Sequence, residues 1–91
     1  MSLREKFTKE MDVCFWNILD KNLERDAVIL VEESLDIIDV AIALAENKVE
    51  EISNWLKNSQ LRKLSIKNTD EFEKSTFNFL IVQPFVLVQE K

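Results

Sequence analysis

The stretch "FNFLIVQPFVLVQEK" at the C-terminal end constrains the fold most. From Phe77 to Gln89 it carries no charge, and Pro84, in its middle, is the only proline of the chain. Phe77, Phe79, Ile81, Phe85 and Leu87 occupy one parity, and Leu80, Val82, Val86 and Val88 the other. Side chains alternate across a strand, so a segment apolar at both parities needs cover on both faces. One face can pack on the chain's own helices; the other needs more helix or a second subunit. Common two-residue hairpin turns require positive φ, which proline cannot supply. The sequence therefore favours a long strand interrupted at Pro84, with pieces near 77–82 and 85–89 and the missing N–H at an edge or bulge. A hairpin with a cis Pro84 in a type VI turn is the alternative.

The remaining segments supply the cover. Ser2 followed by Glu5 fits a capping box. Leu3, Phe7, Met11, Cys14, Phe15 and Ile18 then recur at helical spacing, predicting a first helix over 3–21 with Asn22 as its terminator. With no glycine in the chain, Asn22, Asn47, Asn58 and Asn68 read as its punctuation. "AVILV", residues 27–31, reads as a buried strand. In the following segment Asp36, Asp39, Ala43 and Glu46 form one narrow stripe, predicting a largely buried helix over 35–46 capped by Ser34 or Asp36. Asn47 with Glu50 starts a further helix over 48–57, carrying Val49, Ile52, Trp55 and Leu56. "NSQLRKLSIKNTD" reads as loop, and Thr69 as the cap of a short helix over 69–75 that carries Phe72. The 91 residues make one α+β domain, a small sheet packed by three to four helices.

Composition removes several classes of function. There is no histidine, which excludes Ser-His-Asp and Cys-His catalysis and histidine-ligated metals. The single cysteine, Cys14, excludes an intrachain disulfide and any multi-thiolate zinc site. A net charge of −5 argues against nucleic acid or an anionic membrane as the main partner. No segment approaches the ~20 apolar residues of a membrane helix. The charged N-terminal region has no apolar signal core, so the expected compartment is the cytoplasm.

Few residues offer chemistry. Glu32, Glu33, Asp36 and Asp39 are the densest acidic group and could hold a divalent cation through oxygen. Acids at a helix start also cap it and meet its dipole favourably, and with no nucleophile or phosphate loop nearby that is the better reading. Cys14 falls on the apolar stripe as a small hydrophobe without a basic neighbour. Lys57, Arg62, Lys63 and Lys67 form the only basic group, without interleaved aromatics for nucleic acid. Trp16 projects from the first helix beside Lys9, Asp12 and Asp20, either as an interface anchor or as a ring at the core's edge; the second is favoured.

"RDAVILV", "LDIIDVAIALAEN" with "VEEISNWL" after it, and the ending "IVQPFVLVQE" carry a resemblance to a family of small bacterial proteins known only as a domain of unknown function, number 2288, with members in cyanobacteria and proteobacteria. The resemblance spans the Phe15–Trp16 region to Glu90 and departs where "EESL" stands in place of a proline-containing turn. It implies no activity and no catalytic residue.

The expectation is a non-enzymatic protein that assembles with itself, as a dimer, or docks on a protein partner, because so short a chain carries surplus apolar surface. No cofactor is expected. The contact is expected on the sheet of residues 27–31 and the C-terminal strands, by edge pairing or by face packing, with Trp16, Phe79, Ile81, Phe85, Val86 and Val88 as interface candidates. The alternative is a small-molecule or divalent-metal binder, or an enzyme, using Glu32, Glu33, Asp36 and Asp39.

Overall fold

Six consecutive cross-strand pairs, from Phe77 opposite Glu90 to Val82 opposite Phe85, fold the C-terminal stretch back on itself as a hairpin. The structure, a computed structural model, describes residues 2–91. Strands β4 (Thr76–Val82) and β5 (Phe85–Glu90) are joined by Gln83 and Pro84, whose peptide bond is cis. The expectation of one strand interrupted at Pro84 is thus corrected to the hairpin. Pairing two strands that are apolar on both faces buries both, which a single strand broken at an edge cannot do.

The sheet has five strands in the order β1-β4-β5-β2-β3. Strand β2 (Val28–Val31) runs parallel to β5, and every other pairing is antiparallel. Two strands escape the sequence reading. β1 (Asp12–Phe15) pairs with β4, placing Cys14 opposite Phe77, and β3 (Leu61–Leu64) pairs with β2 inside the segment read as loop.

The expected first helix over 3–21 is therefore four pieces. Helix α1 (Leu3–Glu10) starts where Ser2 Oγ accepts from the Glu5 N–H at 3.2 Å and ends where the Met11 N–H donates to Phe7 O. Strand β1 follows, then a 3₁₀ turn (Trp16–Leu19) and α2 (Asp20–Glu24). Val13 and Phe15 are good strand formers, and pairing with β4 buries Cys14 opposite Phe77 while satisfying an edge of β4 that would otherwise stay open.

Helix α3 (Ile37–Ala45) and α4 (Val49–Lys57) lie where periodicity puts them, and Asp36 caps α3 by accepting from the Ile38 N–H at 2.8 Å. Three helices end in the same backbone motif. The residue after the C-cap takes positive φ, with the paired 6→1 and 5→2 hydrogen bonds of a Schellman turn. These residues are Asp26 after α2, Asn47 after α3 and Ser59 after α4, with φ of 55°, 56° and 59°. The closing bonds are Ala27 N–H to Asn22 O, Lys48 N–H to Ala43 O and Gln60 N–H to Trp55 O. Of the four expected asparagines only Asn47 takes the left-handed conformation, and it ends α3 instead of capping α4, whose N-cap is Lys48. Asn68 has another use: its Oδ1 accepts the Ser65 N–H in a capping box at the 3₁₀ turn Ile66–Asn68, ahead of α5 (Thr69–Phe72).

Each face of the sheet has its own core. On one, Phe7 of α1 and Ile37, Ile38, Val40 and Ala41 of α3 meet Ile29, Val31, Leu61, Leu80, Val82 and Leu87. On the other, Trp16, Leu19, Leu23 and Phe72 cover Cys14, Val28, Leu64, Phe77, Val86 and Val88. Trp16, Phe72 and Phe77 meet ring to ring at centroid separations of 5.6–6.2 Å. The second apolar face of the C-terminal strands is thus covered by short helical segments of the same chain.

Candidate functional site

The four clustered acids do not act together. Asp36 caps α3, and its Oδ2 lies 3.6 Å from Arg4 Nη1, while Asp39 also pairs with Arg4, from α1. Glu32 and Glu33 leave the end of β2 and line a pocket of about 350 Å³ with Leu30, Gln60, Arg62 and Glu90. No three His, Cys, Asp or Glu side chains converge to hold a metal ion among the described residues. The basic residues are dispersed in the same way. Arg62 pairs with Glu71 at 2.9 Å and lies 5.7 Å from the Phe72 ring centroid, while Lys63, next to it in β3, points to the opposite face.

Cys14 is buried opposite Phe77, and burial, then the neighbouring Asp12 carboxylate, pushes its thiol above the usual value of 9.0. A thiol held protonated in an apolar core is a poor nucleophile. Trp16 is only 3% exposed, and its Nε1–H donates to Thr69 Oγ1 at 3.1 Å. It is a core residue, so the interface-anchor reading of Trp16 is corrected.

The other interface candidates separate by parity. Val86 and Val88 are buried inside the chain and are unavailable to a partner. Phe79 and Phe85 are half-buried, packed against opposite cores, and Ile81 alone is 51% exposed. The strands expected to make the contact are internal: β4, β5 and β2 each have a neighbour on both sides, and the free edges belong to β1 and β3. Edge pairing through residues 27–31 or the C-terminal strands is thereby corrected.

The two edges differ. β3 exposes Arg62 and Lys63, charged residues of the kind that guard an edge against pairing. β1 has no lysine, arginine or proline, and it exposes Val13 (42%), Phe15 (59%) and, just beyond it, Ile18 (63%). The direction of its backbone groups follows from two bonds. The Lys91 N–H donates to Thr76 O, so the polar groups of Thr76 face β5, and Phe15 opposite Thr76 is a non-hydrogen-bonded pair. Phe15, and by alternation Val13, then turn their N–H and C=O groups outward. The Val13 N–H accordingly donates to the carboxylate of Asp12 at 2.8 Å. Phe15 is the N-cap of the following 3₁₀ turn, so its C=O enters the first bond of that turn. The Val13 C=O and the Phe15 N–H are left pointing outward, at an edge whose one charged residue, Asp12, is turned onto the Val13 N–H.

The helical reading of residues 3–21 hid this site. It assigned Phe15 and Ile18 to a buried stripe. The available signal was the run Val13-Cys14-Phe15, β-branched and aromatic residues with one apolar side chain inward and two outward.

The solution structure of the protein PA1075 from Pseudomonas aeruginosa superimposes with a TM-score of 0.85 and is 31% identical over 98% of this chain and 84% of that one. No curated protein matches the chain. The family described as protein of unknown function (DUF2288) matches residues 2–90, from the cap of α1 to the end of β5. The chain belongs to the DUF2288 family.

Proposed function

We propose that this protein is a non-catalytic interaction module of the bacterial cytoplasm that works by protein contact at the β1 edge. The observation that carries the reading is that edge: Val13, Phe15 and Ile18 are exposed within six residues of one another, beside outward-facing backbone groups and no guarding cation. Strand addition at such an edge draws affinity from main-chain hydrogen bonds and specificity from alternate side chains. Against catalysis stand a chain without histidine, a buried protonated thiol and carboxylates directed to different surroundings.

A photo-crosslinking amino acid at position 18, introduced in the host cell, tests the reading. The expected result is a covalent adduct to protein, absent when the same group replaces the exposed Lys63 on β3, the opposite edge of the sheet. Position 18 yielding no more adduct than position 63 refutes it.

A further inference from the structure

We propose that the occupant of the β1 edge is a second copy of this chain, paired antiparallel with β1 about a twofold axis beside Cys14. The inference rests on the reading of β1 as a protein-binding edge and adds the partner and the register. In that register Val13 lies opposite the partner's Phe15 and Phe15 opposite the partner's Val13. The two free groups of each edge then satisfy those of the other, each Phe15 N–H donating to a Val13 C=O across the axis. Registers centred on Val13 or on Phe15 instead demand the Val13 N–H or the Phe15 C=O, which Asp12 and the 3₁₀ turn already occupy. An isologous contact requires such self-complementarity.

The side chains fit the same register. The exposed face gains two Val13–Phe15 cross-strand pairs, aromatic on β-branched, a favourable combination. Asp12 faces the partner's Trp16 position across the strands, not another carboxylate, so no like charges oppose each other. Two five-stranded sheets become one continuous sheet, and both β1 edges disappear. The area sets the strength. A short strand with three apolar side chains falls below the ~1,200 Å² total of standard interfaces, so the dimer is transient, at the micromolar end of affinity or weaker.

Cys14 marks the axis. Residues in a non-hydrogen-bonded antiparallel pair have Cα atoms ~4.5 Å apart, inside the disulfide range. Because the Cys14 thiol is buried and protonated, the register is better read with cysteines introduced beside it. Val13→Cys and Phe15→Cys chains, each also carrying Cys14→Ala, are mixed under mild oxidation. The expected product is the Val13→Cys chain joined to the Phe15→Cys chain, at least about tenfold over either chain joined to itself, since those pairings sit one residue pair out of register. Sedimentation velocity from ~10 to ~500 µM is expected to show a reversible dimer, weakened at least about tenfold by Phe15→Asp, which puts a charge into both halves of the contact. Phe15 is exposed, so this variant should keep the circular dichroism spectrum of the wild type. A strict monomer, a dimer indifferent to Phe15→Asp, or preferential joining of like chains overturns the inference. A monomer whose position-18 adduct is a different protein overturns the homodimer and leaves the interaction reading standing. A monomer without any adduct overturns both.

Discussion

Replacing Ser59 with glycine should stabilise the protein, although glycine usually weakens a structured position. Ser59 closes α4 at φ 59°. An L-residue in the left-handed region costs roughly 1–2 kcal/mol because its Cβ crowds the following carbonyl. Glycine escapes that cost and gives back about 0.5–1 kcal/mol through its greater freedom in the unfolded chain. The side chain of Ser59 is exposed, so removing its hydroxyl forfeits only hydration. The net is a gain of about 0.5–1 kcal/mol, or roughly 4–8 °C in melting temperature per kcal/mol for a domain of this size. Asp26→Gly should gain less and Asn47→Gly least, because aspartate and asparagine tolerate this conformation better than serine. The three residues end three different helices, so their effects should add. Urea melts followed by far-ultraviolet circular dichroism measure the shift, with an unchanged m-value separating stability from denatured-state effects. Ser59→Ala is the control, since it keeps the Cβ. If alanine raises the midpoint as much as glycine, or glycine leaves it unmoved, the conformational argument is wrong.

Thr69→Val should cost about 1–3 kcal/mol by leaving the Trp16 Nε1–H unpaired in the core, and Thr69→Ser, which restores the acceptor, should recover most of it in the same urea melts. Asp36→Ala should cost about 1 kcal/mol through loss of the α3 cap, nearly all of it recovered by Asp36→Asn; the exposed ion pair with Arg4 adds little, and high salt should leave the difference intact. Cys14 predicts a pH dependence. Its folded-state thiol stays protonated above the ordinary value of 9.0 while the unfolded thiol ionises, so the native state binds the extra proton and stability falls as pH rises past that value. The slope approaches about 1.4 kcal/mol per pH unit, and subtracting the pH profile of Cys14→Ala isolates it; equal slopes in the two proteins would discard the reasoning.

Where hydrophobic period and capping chemistry agree, the sequence is readable. Asp36, the apolar run to Ala45 and the stripe of α4 define two helices in advance because each is amphipathic at one period. Residues 3–18 are different. Phe7, Cys14 and Phe15 recur at helical spacing, yet 12–15 satisfy strand spacing equally well, and the free edge of β4, some sixty positions away in the chain, decides between them. β3 was illegible for another reason. Leu61 and Leu64 each enter a different core with two charged residues between, a pattern that as text matches a loop. The terminal hairpin turned on the weight given to local turn preference against six cross-strand pairs, and the pairs prevailed. The interface candidates followed from apolarity alone. Apolarity finds strands, but the order of strands determines which of them keeps a free edge.

The two-sided core has an optical consequence. Trp16 sits in the layer of α2 and α5, and Trp55 packs, partly buried, on the layer of α1 and α3, so each face of the sheet holds one of the chain's two indoles. In a Trp55→Phe chain the remaining emission reports the Trp16 layer alone, while circular dichroism reports mainly the longer helices of the opposite layer. The protein therefore carries its own means of timing one half against the other. Coincident transitions would mean that β2 and β5, which feed side chains alternately to both layers, bind the halves into one cooperative unit.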